Sequence, residues 1–194
     1  MNNKYFLLRH GESLRNIKKV AACWPEKALS PLTKKGKEQI KKIGKKLKNI
    51  DLIFASDLQR TKQTAEIVGK ILEVKPKFDK RLREHNVGIL NGKKIKEVGK
   101  FWNKEGKLSP LEYFSKRFKI APPGGETYAD MEKRVYNFLK EVDKKYKGKN
   151  ILIISHGRPL TLLEKAVYGY DLKQLVKIIK GKKEIKTGEV RKIK

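Results

Sequence analysis

The sequence predicts an α/β fold, a three-layer αβα sandwich in which helices cover both faces of a mostly parallel central sheet. Three observations carry this expectation. Short apolar runs alternate with longer segments of helical periodicity along almost the whole chain. Two of the runs, Phe6-Leu7-Leu8 and Ile151-Leu152-Ile153-Ile154, are apolar at successive positions, as strands covered on both faces are. Both then stop at a His-Gly pair, His10-Gly11 and His156-Gly157, which reads as a buried strand ending in a loop. With 194 residues, one domain over residues 1–194 is expected, long enough to bury a core.

Lys4–Arg9 is the first strand. A loop or short helix follows Gly11 and reaches Lys19. Thr33 is placed as the N-cap of a helix running to about Leu47, with Ile40, Ile43 and Leu47 on its buried face. Ile50–Ala55 is the second strand, and Ser56 or Asp57 is expected to cap a helix through Leu72. Pro76 limits a short strand over Val74–Phe78. Residues 81–92 read as irregular, Lys93–Asn103 as a helix, and Lys104–Gly125 as the least regular region. That region ends in Pro122-Pro123-Gly124-Gly125, a rigid turn whose glycines shape the loop. Thr127 opens a helix to about Tyr146 that buries Met131, Val135, Phe138, Leu139 and Val142. Asn150–Ser155 is a strand, and Leu160–Tyr168 a helix with Pro159 in its first turn. In the Lys- and Ile-rich tail, Glu189–Ile193 forms an edge strand protected by its lysines.

The charge balance is extreme, 49 Lys+Arg against 21 Asp+Glu, a formal +28. The basic residues run from Lys4 to Lys194 with no basic tail, and aromatics do not interleave with them. The charge therefore reads as a solvated lysine-rich surface that draws anions into a cleft, with neither nucleic acid nor membrane as a partner. A basic nucleic-acid- or membrane-binding module with a relic pocket is the non-enzyme alternative. No apolar stretch is long enough for a membrane span, and no signal-peptide pattern opens the chain. Cys23 is the single cysteine, so no intramolecular disulfide forms, and a cytoplasmic location is expected.

In a parallel α/β sheet, ligands bind at the C-terminal ends of the strands. His10 and His156 are therefore expected to meet in one pocket. Phosphoryl transfer to an imidazole needs a neutral nucleophile, donors for the spreading negative charge, and an acid for the leaving alcohol. His10 is the candidate nucleophile, kept neutral by Arg9 beside it. Arg60, near the start of the helix after the second strand, is a second phosphate clamp, because its planar fork meets two oxygens. His156, if cationic, donates to a phosphoryl oxygen. Glu84 is the candidate acid, with a pKa raised toward neutrality, and Glu12 is a competing carboxylate.

Arg9-His10-Gly11-Glu12-Ser13 with Asn16 resembles the signature of the histidine phosphatase superfamily, which includes cofactor-dependent phosphoglycerate mutases and many phosphatases. Leu32-Thr33 with Gly36 and Gln39, Ser56-Asp57-Leu58-Gln59-Arg60-Thr61, Leu82-Arg83-Glu84 with Gly88 and Gly92, Pro122 to Thr127 with Arg134, and Ser155-His156-Gly157 match in the same order. The resemblance implies that His10 becomes a phosphohistidine in a pocket of Arg9, Arg60 and His156. It implies further donors in Asn16 and the Gly157 amide. Glu84 would act as acid and then activate water, with no metal and no cofactor.

The compact length and the Pro-Pro-Gly-Gly-Glu segment resemble the phosphatase branch, acting on a small phosphorylated metabolite. Lys116-Arg117 resembles a basic pair of the mutases that grips the carboxylate and phosphate of phosphoglycerate. His85-Asn86-Val87, where mutases commonly carry Arg-His-Tyr, argues against mutase contacts. His85 is expected to face solvent, and Cys23 and Trp24 to be packing or loop residues. Arg158 either adds a phosphate contact or points to solvent. Ala21–Leu29 and Lys104–Ala121 are expected to set selectivity.

Overall fold

The structure is a computed structural model that describes residues 1–26 and 30–193. Its strands are β1 (Lys4–Arg9), β2 (Leu52–Ala55), β3 (Lys77–Phe78), β4 (Asn150–Ser155) and β5 (Val190–Ile193). Its helices are α1 (Leu14–Lys18), α2 (Lys34–Gly44), α3 (Gln59–Leu72), α4 (Ile95–Lys100), α5 (Pro110–Lys119), α6 (Tyr128–Lys145), α7 (Gly157–Tyr168) and α8 (Leu172–Lys180). The strands form one sheet in the order β3-β2-β4-β1-β5. Its neighbours are parallel except for β5, which runs antiparallel along the edge of β1.

The uninterrupted apolar runs explain the layering. Side chains alternate across a strand, so a strand apolar at every position has two faces to cover. Tyr5, Leu7, Phe54, Ile151 and Ile153 meet Val135, Phe138 and Leu139 of α6 and Leu160 and Leu163 of α7. Leu8, Ile53, Ala55, Leu152 and Ile154 meet Ile40 of α2 and Ala65 and Val68 of α3 on the other face. Each fully buried Leu or Ile contributes about 2 kcal/mol, so both faces hold the sheet. Among the described residues, no helix is long and apolar enough to cross a membrane.

Two helices stand where no element was expected. In α5, Ser109 Oγ accepts from the Glu112 amide while the Glu112 carboxylate accepts from the Ser109 amide, and Pro110 occupies the first turn. This reciprocal cap overrides the irregular reading of residues 104–125. In α8, Asp171 and Gln174 form the same kind of box, and Leu172, Leu175, Val176 and Ile179 pack with Phe114 and Met131. The tail is therefore a docked helix before it becomes β5.

Other boundaries shift. Thr33 caps α2 as expected, accepting from the Gly36 amide at 2.9 Å. Neither Ser56 nor Asp57 caps α3; the N-cap is Leu58, without a side-chain bond. Asp57 is drawn off by a bidentate pair with Arg83, and Ser56 turns to His156. Helix α7 starts at Gly157, with His156 itself as N-cap. Strand β3 is two residues long, and α4 is shorter than the expected 93–103 span.

Candidate active site

Strand register brings the two histidines together. Arg9 pairs with Ser155 across the parallel β1–β4 ladder, and the His10 amide donates to Ser155 O at 3.1 Å. The residue after each strand therefore lies beside its counterpart, and the His10 and His156 rings are 5.3 Å apart, edge to face. Ser56 directly follows the neighbouring strand, where its amide donates to Ile154 O at 3.0 Å.

His10 is fully buried, and its two nitrogens have different partners. Nδ1 lies 2.8 Å from Gly11 O, and Arg60 Nε donates to Nε2 at 3.3 Å. A carbonyl only accepts and a guanidinium only donates, so Nδ1 carries the proton and Nε2 presents its lone pair. Burial, then Arg60 and Arg9, hold the His10 pKa well below the usual histidine value. The imidazole is thus neutral at physiological pH, the state a nucleophile needs.

His156 is neutral as well, lowered first by burial and then by Arg60. The cationic condition set for His156 as a donor is therefore not met. Its Nε2 lies 2.9 Å from Ser56 Oγ, so a hydrogen bond from that hydroxyl leaves Nδ1–H as the donor. Three buried atoms around His10 have no hydrogen-bond partner among the described residues: Arg9 Nε, Arg60 Nη1 and His156 Nδ1. Buried donors are rarely left without a hydrogen bond, and three at one place offer the chemistry an anion needs.

The arginines are fixed from behind. Arg60 has no exposed surface; its Nη2 donates to Ala22 O at 3.0 Å, and burial pulls its pKa down to about 9, leaving it charged at neutral pH. Arg9 Nη1 donates to Ile185 O at 3.1 Å. A Cβ at Gly157 would lie 3.1 Å from Arg9 Cζ, so glycine lets the guanidinium lie against the N-terminus of α7. First-turn amides such as that of Gly157 have no acceptor within their own helix.

Glu84 is buried beside this group. Burial pushes its pKa up, but Arg15, Arg60, the His85 amide and Arg9 more than offset it, so the carboxyl sits below its usual range. This corrects the expectation of a raised pKa. Arg15, which the sequence reading passed over, donates from Nη1 to Glu84 Oε2 at 3.0 Å. The acid loop is braced by Arg134, which donates to Glu84 O and pairs with Glu126. Gly88 has φ +53°, and a Cβ there would lie 2.0 Å from Pro123 O, so the loop closes directly on the Pro-Pro-Gly-Gly turn. Glu12 is engaged elsewhere, with Thr33 and Lys35. Asn16 lines the cleft, with Oδ1 held by the Ser13 amide and hydroxyl.

Arg9, Glu84 and Gly157 open upward into a cleft of about 820 Å³. Its wall includes Arg15, Val87, Val98, Tyr113, Arg117 and Arg158. His85 is buried, contrary to the solvent-facing expectation. It packs against Tyr128 and Trp102, its Nε2 lies 2.8 Å from Glu126 O, and Arg117 Nη2 is 3.3 Å from its Nδ1. Arg117 is sandwiched between Trp102 and Tyr128 at 4.4 and 4.3 Å. Lys116, its neighbour on α5, lines a different groove with Leu111 and Asp171, so the basic pair is split. Arg158 neither points freely to solvent nor stands alone, because it pairs with Glu184.

In the first selectivity segment, Cys23 is packed with Val87 and Trp102, while Trp24 is half exposed under the Arg83 guanidinium. Glu26, also passed over, lies 3.6 Å from Arg60 Nη1. Residues 27–29 of that segment lie outside the described residues. A doubled cue was available for Arg15, which stands one residue before Asn16 in a matched motif, but a paired carboxylate cannot be read from spacing.

A parallel-sheet edge that gathers two histidines and two arginines around one point defines a histidine-centred, anion-handling enzyme site. Residues 5–186 match the profile of the histidine phosphatase superfamily (branch 1), and the chain belongs to that family. It is 32% identical over 166 residues to the Salmonella choleraesuis (strain SC-B67) protein named "Probable phosphoglycerate mutase GpmB", covering 84% of this chain and 74% of that one. The Bacillus stearothermophilus YhfR structure superposes with a TM-score of 0.73 at 29% identity, covering 89% of this chain and 83% of that one. A mycobacterial glucosyl-3-phosphoglycerate phosphatase superposes with a TM-score of 0.80 over 97% of this chain and 88% of that one, at 19% identity, a likeness of fold.

Proposed function

We propose that this protein hydrolyses the phosphomonoester of a small phosphorylated metabolite through a phosphohistidine on His10. The observation that carries the reading is the set of three buried donors without a hydrogen-bond partner among the described residues, Arg9 Nε, Arg60 Nη1 and His156 Nδ1, around a neutral imidazole whose Nε2 lies 3.3 Å from Arg60 Nε. In the first step His10 Nε2 bonds to phosphorus and the ester P–O bond breaks. Glu84 delivers a proton to the departing oxygen. The three donors, with the Gly157 amide and Asn16, take up the charge spreading over the phosphoryl oxygens. In the second step water attacks phosphorus, Glu84 accepts its proton, and the N–P bond breaks to release phosphate. A bound phosphoryl group offsets the field of Arg9 and Arg60 on Glu84, which favours the protonated form that the first step needs.

A second reading, phosphoryl transfer between hydroxyls of a phosphoglycerate, is supported by Arg117 in the cleft wall and by the name of the Salmonella relative. The split of Lys116 from Arg117 favours the hydrolase. Phosphate release across a panel of phosphomonoesters, run beside 3- to 2-phosphoglycerate interconversion, separates the two. Release is expected to exceed interconversion and to vanish in His10→Ala; interconversion that outpaces release makes the protein a mutase. Salt-sensitive nucleic-acid binding that survives His10→Ala, without phosphate release, would support the binding-module alternative.

A further inference from the structure

The proposed reaction uses Glu84 as a proton carrier, yet its carboxylate is already engaged. Arg15 Nη1 and Glu84 Oε2 are 3.0 Å apart, and the two side chains are 12% and 10% exposed. A carboxylate so paired carries no proton and directs an oxygen at the guanidinium. Other arginines around Glu84 are immobile by comparison. Arg60 is fully buried on a fourteen-residue helix, and Arg9 closes a strand and is tied to Ile185 O. Arg15 rides on α1, a five-residue helix with no buried residue, and its other tether is a 3.2 Å bond from Nε to Val20 O. Both Arg15 and Glu84 line the cleft that a substrate enters.

We propose that Arg15 is a substrate-exchanged partner of Glu84: it holds the carboxylate in the free enzyme and passes to an anionic oxygen of the bound phosphomonoester, releasing Glu84 to take up the proton it delivers. This rests on the phosphohistidine reading above and adds a positioning residue to it. No covalent bond changes in the exchange. One hydrogen bond from Nη1 is broken and one is made. The proton comes from solvent or from a monoanionic phosphate ester, and it ends on the leaving alcohol. The charges facing Glu84 are Arg15 from α1, Arg60 from α3 and Arg9 from β1, with the His85 amide beside it. Cys23, His85, Tyr128 and Arg158 lie close enough to feel its charge in turn. Arg9 and Arg60 persist when Arg15 is changed, so a measured shift belongs to Arg15.

The holding half is tested on the free protein by following the Glu84 carboxyl carbon by NMR against pH. Arg15→Gln is expected to raise the midpoint by about one to three pH units, and Arg15→Lys to keep it low. An unchanged midpoint in Arg15→Gln overturns the proposal, whether or not the protein turns over any ester. The exchange half is tested by a crystal structure of the wild-type protein with orthovanadate. Vanadate on His10 with Arg15 within about 3 Å of a vanadate oxygen and parted from Glu84 supports it. Vanadate on His10 with the Arg15–Glu84 bridge intact overturns it. Vanadate that does not reach His10 counts against the phosphohistidine reading instead, and the exchange falls with it.

Discussion

The floor of the cleft, which Arg9 and Gly157 reach beside the buried histidines, and its wall are held in place by different means. His10, Ser56 and His156 follow directly on β1, β2 and β4, and ladder bonds within one sheet fix where their backbones lie. The wall comes from α1, α4, α5 and the loop around His85, joined by side-chain contacts such as Arg117 between Trp102 and Tyr128. Backbone register cannot move without breaking the sheet, whereas a wall of packed side chains can be altered one residue at a time. On the proposed function, the difference teaches which part sets the chemistry and which part selects the alcohol.

Three experiments press on that division. Glu84→Gln should cost about 10²–10⁴-fold in the single-turnover rate of alcohol release from alkyl phosphates and little in that from an activated aryl phosphate, whose leaving group needs no proton. Equal losses on both esters would place Glu84 with the floor as a fixed support. Next in size is a stability effect. The His85 pKa is pushed down to about 4, by burial first and then by Arg117. The unfolded chain therefore binds the proton more readily than the folded one. Stability is full above the ordinary value of about 6.5 and falls as pH drops toward 4, by ~3 kcal/mol from His85. His10 and His156, shifted in the same direction, add to the same limb. Urea midpoints between pH 7 and 4 should fall more steeply for the wild type than for His85→Phe, and parallel slopes would remove His85 from this account. The smallest effect is expected at the wall. Arg117→Met should raise KM about tenfold for phosphomonoesters that carry a second anionic group, with aryl phosphate turnover unchanged. A matching loss of aryl phosphate turnover would show that wall and floor do not separate.

The same division governs what the sequence discloses. The two-faced strands, Thr33, the helix at Thr127 and the meeting of His10 with His156 are local patterns joined by sheet topology, and they are legible. Helices α5 and α8 carried readable caps, Ser109 with Glu112 and Asp171 with Gln174, but lysine-rich stretches without strong neighbours hide them. The neutral state of His10 was legible from Arg9 beside it, whereas the protonation of His156 and Glu84 was not. His156 is neutral because it is buried against Arg60, and Glu84 is ionised because Arg15 folds back onto it from sixty-nine residues away. Burial of His85 likewise depends on Trp102 and Tyr128, which spacing alone does not bring to it.

The hold on Arg9 ties the site to the rim of the sheet. Ile185 O receives the guanidinium, the Gly188 amide donates to Arg9 O, and the chain then runs straight into β5, an edge strand. Openings of lowest free energy in a protein are local ones at such margins. When β5 peels away, the backing of one phosphate clamp goes with it, and the two hydrophobic layers lose only Ile193 and Val190 of that strand. On the proposed function, warming would silence this enzyme before it melts it, through four residues at an edge of which Ile193 is itself part of the core.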